Sequence, residues 1–316
     1  VRSRRQRQMC IRDRIAFDEK NGSGHYYQSL NLANKINKKN QIFFIINEHE
    51  NIKKKKFVNY IFLKTPSTSA YLPKLDFDIV IYDFPINKLL IKKKNIKTKY
   101  IFITNSEKKI KSNADCVIAT NKKQKNYQYP DNFFTDRKKY LIVGNFFKKK
   151  NNYLKKELKK IIVCFSSKIS FPKILKFLYN LNKCYYKLYN TKIDFYLHKT
   201  TYVKILKQKI NFKININFFY KNEKITSNYD LCYCTPGNII LNAAEFRIPS
   251  IVFFNNIKDF KKEMSYQENI FYSHLFFNCT FNNFKNSLLF MKEKSNRKNL
   301  VKKMEKLNLK DNSSNI

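Results

Sequence analysis

With 316 residues, 43% of them hydrophobic and 16% aromatic, the chain is long enough for two domains of ordinary size and too rich in core-forming side chains to be disordered. A formal net charge of +41 would by itself point to nucleic acid or an acidic membrane surface. The excess is lysine, however, dispersed beside abundant Asn, Ile, Phe and Tyr with only 4 Gly and no Trp, a pattern that A/T-rich codons explain without a selected partner. A nucleic-acid protein should gather its charge on one element and interleave stacking aromatics there, so no specific nucleic acid is expected.

Residues 1–14 read differently from the rest. Six of the nine arginines fall there, as in translated read-through of a sequencing adaptor, so this stretch is expected to be a non-native leader outside the fold. It has no apolar core of a secretory signal; an organellar presequence is the second reading.

The native pattern then starts with a short apolar run at 15–17, the glycine turn Gly22-Ser23-Gly24-His25 and an amphipathic segment at 29–36. Strand, glycine turn and helix in that order aim free backbone N–H groups and a positive helix end at whatever sits above the turn, usually a phosphate or a developing negative charge. His25 rides on the turn and has the side chain best suited to proton transfer near neutral pH, although a loop histidine is also often only solvated.

Further apolar runs predict strands at 42–46, 57–63, 79–82, 100–103, 116–119 and 141–143, separated by Lys/Asn-rich stretches, as in β-α-β units whose strands are buried on both faces. The run at 79–82 closes on Asp83, at a carboxyl strand end where open α/β sheets bind ligands; Asp83 either orients a ligand or His25, or caps the next turn. The lysine-rich segment 148–160 separates a first domain, 15–150, from a second, 151–294, with strands at 161–165, 193–197, 214–219, 231–234 and 251–254. A basic polar tail is expected over 295–316. Two doubly wound domains joined by one linker imply a cleft between carboxyl strand ends, the favoured place for a ligand.

In the second domain the strand at 231–234 runs into Thr235-Pro236-Gly237-Asn238, where a helix starts, and Pro249 precedes the next strand. Glycine lets backbone amides approach a ligand closely at a helix N-terminus, which suits a diphosphate; turn chemistry alone also accounts for Pro236-Gly237. The 7 cysteines, at 10, 116, 164, 184, 232, 234 and 279, show no C-x-x-C and no histidine at ligand spacing. That is reduced, cytoplasmic usage with no metal site and no cofactor expected. His49, His198 and His274 read as loop or packing histidines. No apolar run is long enough to span a membrane, while peripheral association with one stays open.

These motifs together resemble the UDP-sugar hydrolases of pseudaminic acid biosynthesis, members of the GT-B superfamily that includes the MurG-like glycosyltransferases. The family's G-x-G-H-x-x-R turn is matched by Gly22, Gly24 and His25, its strand ending in Asp by Asp83, and its later strand-turn-helix pattern by Asp230, Gly237 and Ile248-Pro249-Ser250-Ile251. A final Q-x-x-N-like segment finds Gln267-Glu268-Asn269. Four matches run in order from about residue 15 to 292.

The resemblance implies an α/β chain of GT-B type, with two Rossmann-like doubly wound domains facing across a cleft. It also implies metal-independent hydrolysis at the anomeric carbon of a UDP-linked deoxy amino sugar, with UDP leaving, on the route to a nonulosonic acid for a cell-surface glycan. His25 would be the general base. Gly22, Ser23, Gly24, Gln28 and Asp83 would hold the sugar, and Thr235, Gly237, Asn238, Asn242, Gln267 and Asn269 the nucleotide.

The chain departs from the pattern at several places: Gln28 stands where the family has arginine, Asn242 where the helix usually carries a ribose-gripping glutamate, Arg247 for a glycine, and Ser166-Ser167-Lys168 for a glycine-rich turn. A GT-B glycosyltransferase of surface polysaccharide synthesis, using an acceptor hydroxyl in place of water, is therefore the alternative, and a nucleotide-sugar binder without catalysis a third reading.

Overall fold

In the computed structural model of the chain, the described residues are 9–15, 24–36, 40–47, 55–63, 77–84, 88–91, 97–104, 110–119, 132–134, 154–166, 169–197, 199–208, 210–220, 229–255, 257, 260, 271–275 and 279–307. The chain divides into two compact units, the first ending at Gly144 and the second running Asn145–Leu309. Both are built from short apolar runs that form parallel strands.

In the first unit, β1 (Met9–Ile15), α1 (Gly24–Ile36), β2 (Asn40–Asn47), β3 (Asn59–Leu63), β4 (Ile79–Asp83), β6 (Lys99–Thr104), β8 (Cys116–Ala119) and β9 (Phe133–Phe134) are joined by the small parallel pair β5 (Lys88–Leu89) and β7 (Lys111–Ser112). The seven-stranded sheet has the order β3-β2-β1-β4-β6-β8-β9, and every pairing is parallel. Chain order reverses between β1 and β4, which makes their carboxyl ends the switch point of the sheet. On α1, Tyr26, Ser29 and Ala33 are buried at helical spacing, and Leu32 beside them packs with Ile81, Ile103 and Ile118.

The expectation that the leader lies outside the fold is corrected for residues 9–14. Met9–Ile15 is the strand at the centre of the sheet, with Ile11 opposite both Ile42 and Ile79 and Ile15 opposite Asp83. A doubly wound sheet has its first strand in the middle, and the segment ahead of the glycine turn occupies that place. Codon usage carries no information on backbone pairing. The strand expected at 15–17 ends at Ile15, and the strand expected at 141–143 lies outside the described residues.

The second unit contains β10 (Lys160–Cys164), α2 (Phe171–Lys183), α3 (Tyr185–Leu188), β11 (Lys192–Tyr196), α4 (Lys199–Lys207), β12 (Asn215–Phe219), β13 (Leu231–Cys234), α5 (Asn238–Glu245), β14 (Ser250–Phe254), β15 (Tyr272–Leu275), α6 (Phe281–Lys292) and α7 (Lys294–Leu307). Its six-stranded parallel sheet has the order β12-β11-β10-β13-β14-β15, with the switch point between β10 and β13. β13 and β14 are buried along their whole length, as apolar strands covered on both faces must be. Pro172 sits in the first turn of α2, where its missing N–H costs nothing, and Ile174, Phe177, Leu178 and Leu181 turn one apolar stripe inward.

Where a basic tail was expected from 295, the chain continues as α7 to Leu307, with Arg297, Leu300 and Met304 buried at helical spacing. Surrounding lysines hid that sparse stripe in the sequence. Arg297 is fully buried and donates to the carbonyl oxygens of Lys155 at 2.9 Å and Lys156 at 3.0 Å, tying α7 to the segment that enters β10. Arg247 adopts a left-handed backbone, φ 59, just past α5. The glycine that the resembled pattern carries there is thus a backbone requirement, which arginine meets with strain.

Candidate functional site

The first group of expected site residues lies at the switch point of the first sheet. Gly24 and His25 are the opening residues of α1, and Gln28 follows one turn later, half-buried. Asp83 ends β4 and is 2% exposed. It accepts a hydrogen bond from Ser29 Oγ at 3.2 Å, so the strand end is tied to the helix that the glycine turn starts. Of the roles expected of Asp83, orienting a ligand or His25 or capping the next turn, neither is this contact, which ties two elements at the carboxyl edge of the sheet. Gly22 and Ser23 lie outside the described residues.

The second group lies at the switch point of the second sheet. Thr235 follows β13 and accepts from the Ser166 backbone N–H at 2.9 Å, bridging the loop after β10 to the turn after β13. Gly237 caps the N-terminus of α5 with φ 135, a conformation that side chains rarely adopt, and a Cβ built on it would meet nothing within 4 Å. The Asn238 and Ile239 amides open α5 at the positive end of its dipole, while the Ile240 N–H donates to the Gly237 carbonyl at 3.1 Å. Such a turn can hold an anionic group by backbone N–H donors alone.

Asn242 is 1% exposed and packed inside the unit, so it presents no open surface to a ribose. Gln267 and Asn269 lie outside the described residues.

Three contributors were missed in the sequence. Ser29 and the Ser166 amide act through partners far along the chain, which no local pattern reports. Lys173, in the first turn of α2, donates from Nζ to Asn255 Oδ1 at 3.0 Å, just past β14, and brings a cation to the same edge of the sheet. Its only sequence signal is its place after Pro172 at a helix start.

Another buried polar cluster serves packing. Asp194 on β11 accepts from Tyr229 Oη at 2.7 Å and Asn217 Nδ2 at 3.3 Å, with Lys160 Nζ at 3.4 Å. Burial first and the Asp194 carboxylate second push the Tyr229 phenol up, so it stays a donor. Lys160 and Tyr229 stand at or just before strand starts, away from the ligand-binding edge. Among the described residues no group of three His, Cys, Asp or Glu side chains is placed to hold a metal ion, and no helix is long and apolar enough to cross a membrane.

No protein-family profile matches the chain, and no curated protein sequence matches it. Solved structures do. MurG of Acinetobacter baumannii superposes with a TM-score of 0.58 at 9% identity, covering 97% of this chain and 97% of that one. A UDP-glucosyltransferase from Polygonum tinctorium gives 0.59 at 9% identity, over 98% and 96% of the two chains. CalG4, the calicheamicin glycosyltransferase, gives 0.58 at 8% identity, over 95% of each. Identity this low speaks for the fold, and the fold is α/β of GT-B type, with two Rossmann-like domains.

Proposed function

We propose that this chain transfers a glycosyl group from a nucleotide-linked sugar, with the diphosphate of the donor held at the turn 235–238. The observation that carries this reading is the Gly237 turn: a left-handed glycine, open space where a side chain would stand, and the positive start of α5, all at the switch point of a Rossmann sheet. Composition adds weight. The chain has only 4 glycines, and Gly22, Gly24 and Gly237 stand in the two turns assigned to ligand. The likeness in fold to solved glycosyltransferases is in keeping with it.

In this reading the backbone amides of the turn and Lys173 neutralise charge on the departing nucleoside diphosphate, so departure needs no metal. His25, at the start of α1, takes the proton from the attacking hydroxyl. Asp83, held by Ser29, keeps the carboxyl end of β4 in place beneath that turn. The finer reading, a hydrolase of a UDP-linked deoxy amino sugar in a pseudaminic-type route, uses the same parts with water as acceptor; the order Gly22-x-Gly24-His25, running into the start of α1, favours it.

Calorimetry with UDP and turnover of UDP-sugars test both. Wild type should bind UDP, and Gly237→Val should weaken that binding by forcing a side chain into a disfavoured φ beside the diphosphate. His25→Asn should lower turnover by about 10²- to 10⁴-fold while UDP affinity stays unchanged. UDP release without added acceptor would select the hydrolase, and release only with an acceptor hydroxyl the transferase. A wild type that binds no nucleoside diphosphate would overturn the proposal.

A further inference from the structure

Exposed aromatic rings of the second unit gather in one place. Tyr179 on α2, Tyr185 and Tyr186 on α3, Tyr189 just beyond it and Phe290 on α6 are exposed by 52%, 42%, 45%, 73% and 40%. The rings of Tyr185 and Tyr186 lie 5.9 Å apart, Lys187 Nζ stands 5.4 Å over the Tyr186 ring and Lys213 Nζ 5.0 Å over that of Tyr185. Lys292, ending α6, donates to the Lys187 carbonyl at 3.2 Å, and Lys159 lies within electrostatic reach of Tyr189.

The acidic groups here are Glu157, whose carboxylate is paired with Lys159 at 2.7 Å, and the exposed Glu293 after α6. The face is therefore net positive. α2 leaves the carboxyl end of β10 and returns, through α3, to the start of β11, so this face lies on the amino-terminal edge of the second sheet, opposite the Gly237 turn.

Tyrosine rings with an apolar body and a wet hydroxyl, set among lysine ammonium groups, are the chemistry that lodges at a lipid headgroup layer. A strand of nucleic acid would instead need free ring faces for its bases to stack on. Two of those faces are already covered by Lys187 and Lys213. We propose that the face formed by α2, α3 and the end of α6 docks on the surface of an anionic phospholipid bilayer, tyrosines at headgroup level and lysines on lipid phosphates. Charge complementarity selects that occupant, and the inference stands independently of glycosyl transfer.

Co-sedimentation of the full chain with vesicles of phosphatidylcholine, alone or mixed two to one with phosphatidylglycerol, tests it. The mixed vesicles should bind the protein and the neutral ones should not. Lys187→Gln/Lys213→Gln should weaken binding by about fivefold for each lysine removed, and Tyr185→Ser/Tyr186→Ser/Tyr189→Ser should weaken it further, with thermal unfolding unchanged. The charge-matched pair Lys302→Gln/Lys303→Gln, on the exposed side of α7, should bind like wild type. Because the chain has no Trp, tyrosine emission is unmasked, and lipids brominated near the headgroup should quench part of it in the wild type. Equal loss with the α7 pair, no quenching in bound protein, or loss of single-stranded DNA binding in place of vesicle binding would each overturn the proposal.

Discussion

The two Rossmann-like units share parallel pairing and a switch point after the first strand, yet they are packed differently. In the second unit one continuous cluster runs through β10, β11, β13 and β14 to α2, α4, α5, α6 and α7. In the first unit the buried residues among those described form three groups around the faces of the sheet, two of them joined through Ile36. Central strands differ in the same way: β10 carries Ile161, Ile162 and Val163, all fully buried, whereas the sequence of β1 places Arg12-Asp13-Arg14 between Ile11 and Ile15. The switch points are braced differently too: Gly237 sits on a turn braced by the Ser166 amide, while Asp83 is held by a serine side chain.

Aromatic truncation gives the largest expected effect and the sharpest test of that difference. Phe177 meets Phe165, Phe195, Tyr233, Phe253 and Phe284 at ring distances between 4.8 and 5.9 Å, mostly edge to face. Phe44, equally buried in the first unit, meets only Tyr26 at 6.1 Å and Tyr60 at 5.9 Å among its described ring contacts. Phe177→Ala should cost about 5 kcal/mol and Phe44→Ala about 3 kcal/mol, at opposite ends of the range for such cavities. Hydrogen exchange can assign each loss to its unit, since a two-domain chain need not unfold in one step. Equal losses would break the comparison.

That contrast also governs what the sequence reveals. Five of the six strands of the second unit are legible to within a residue at each end, and 231–234 is legible outright, because strands covered on both faces must be apolar runs. β15 interrupts its run with Ser273 and His274, β9 has two residues, and β1 carries three consecutive charges, so none shows the pattern. At the site, the Gly237 turn is visible because its φ of 135 restricts the residue type. The bonds that brace the two switch points, Ser29 to Asp83 and Ser166 to Thr235, join residues 54 and 69 positions apart and exist only once the sheets are assembled.

A smaller effect, opposite in sign between the units, comes from removing a phenol hydroxyl. Tyr233 Oη is buried among Phe177, Phe253 and Phe284 with no hydrogen-bond partner, and so bears a desolvation cost with nothing to offset it. Tyr233→Phe should raise stability by about 1 kcal/mol. Tyr26 Oη lies 3.1 Å from Tyr60 Oη, which also accepts from the Lys55 N–H at 3.0 Å, so Tyr26→Phe should lower stability by about 1 kcal/mol. Urea titration of the two variants measures both. Destabilisation by Tyr233→Phe would mean that a partner of that hydroxyl holds the aromatic cluster together.

The smallest effect concerns thiol chemistry. Cys164, Cys184, Cys232, Cys234 and Cys279 of the second unit are buried, and Cys116 on β8 of the first is half-exposed. Burial pushes the Cys279 thiol up to about 11, and it pushes Cys164 up as well, so neither offers a thiolate at neutral pH. Cys116 is also raised, first by partial burial and then by the Asp115 carboxylate beside it. Because the thiolate is the reactive form, a raised pKa means slow alkylation at neutral pH and a rate that keeps climbing beyond the range of an ordinary cysteine. Asp115→Asn removes the charge while leaving an oxygen to accept the Tyr100 N–H, which Asp115 Oδ2 now holds at 2.7 Å. It should therefore speed labelling of Cys116 about twofold to fivefold at neutral pH, with a lower midpoint in the pH profile and an unchanged fold. Peptide mass spectrometry after timed iodoacetamide exposure should find Cys116 modified well before the five thiols of the second unit. Those five should follow together, when the unit opens. Labelling of Cys232 or Cys279 as fast as Cys116 would show that burial in the second unit does not protect those thiols.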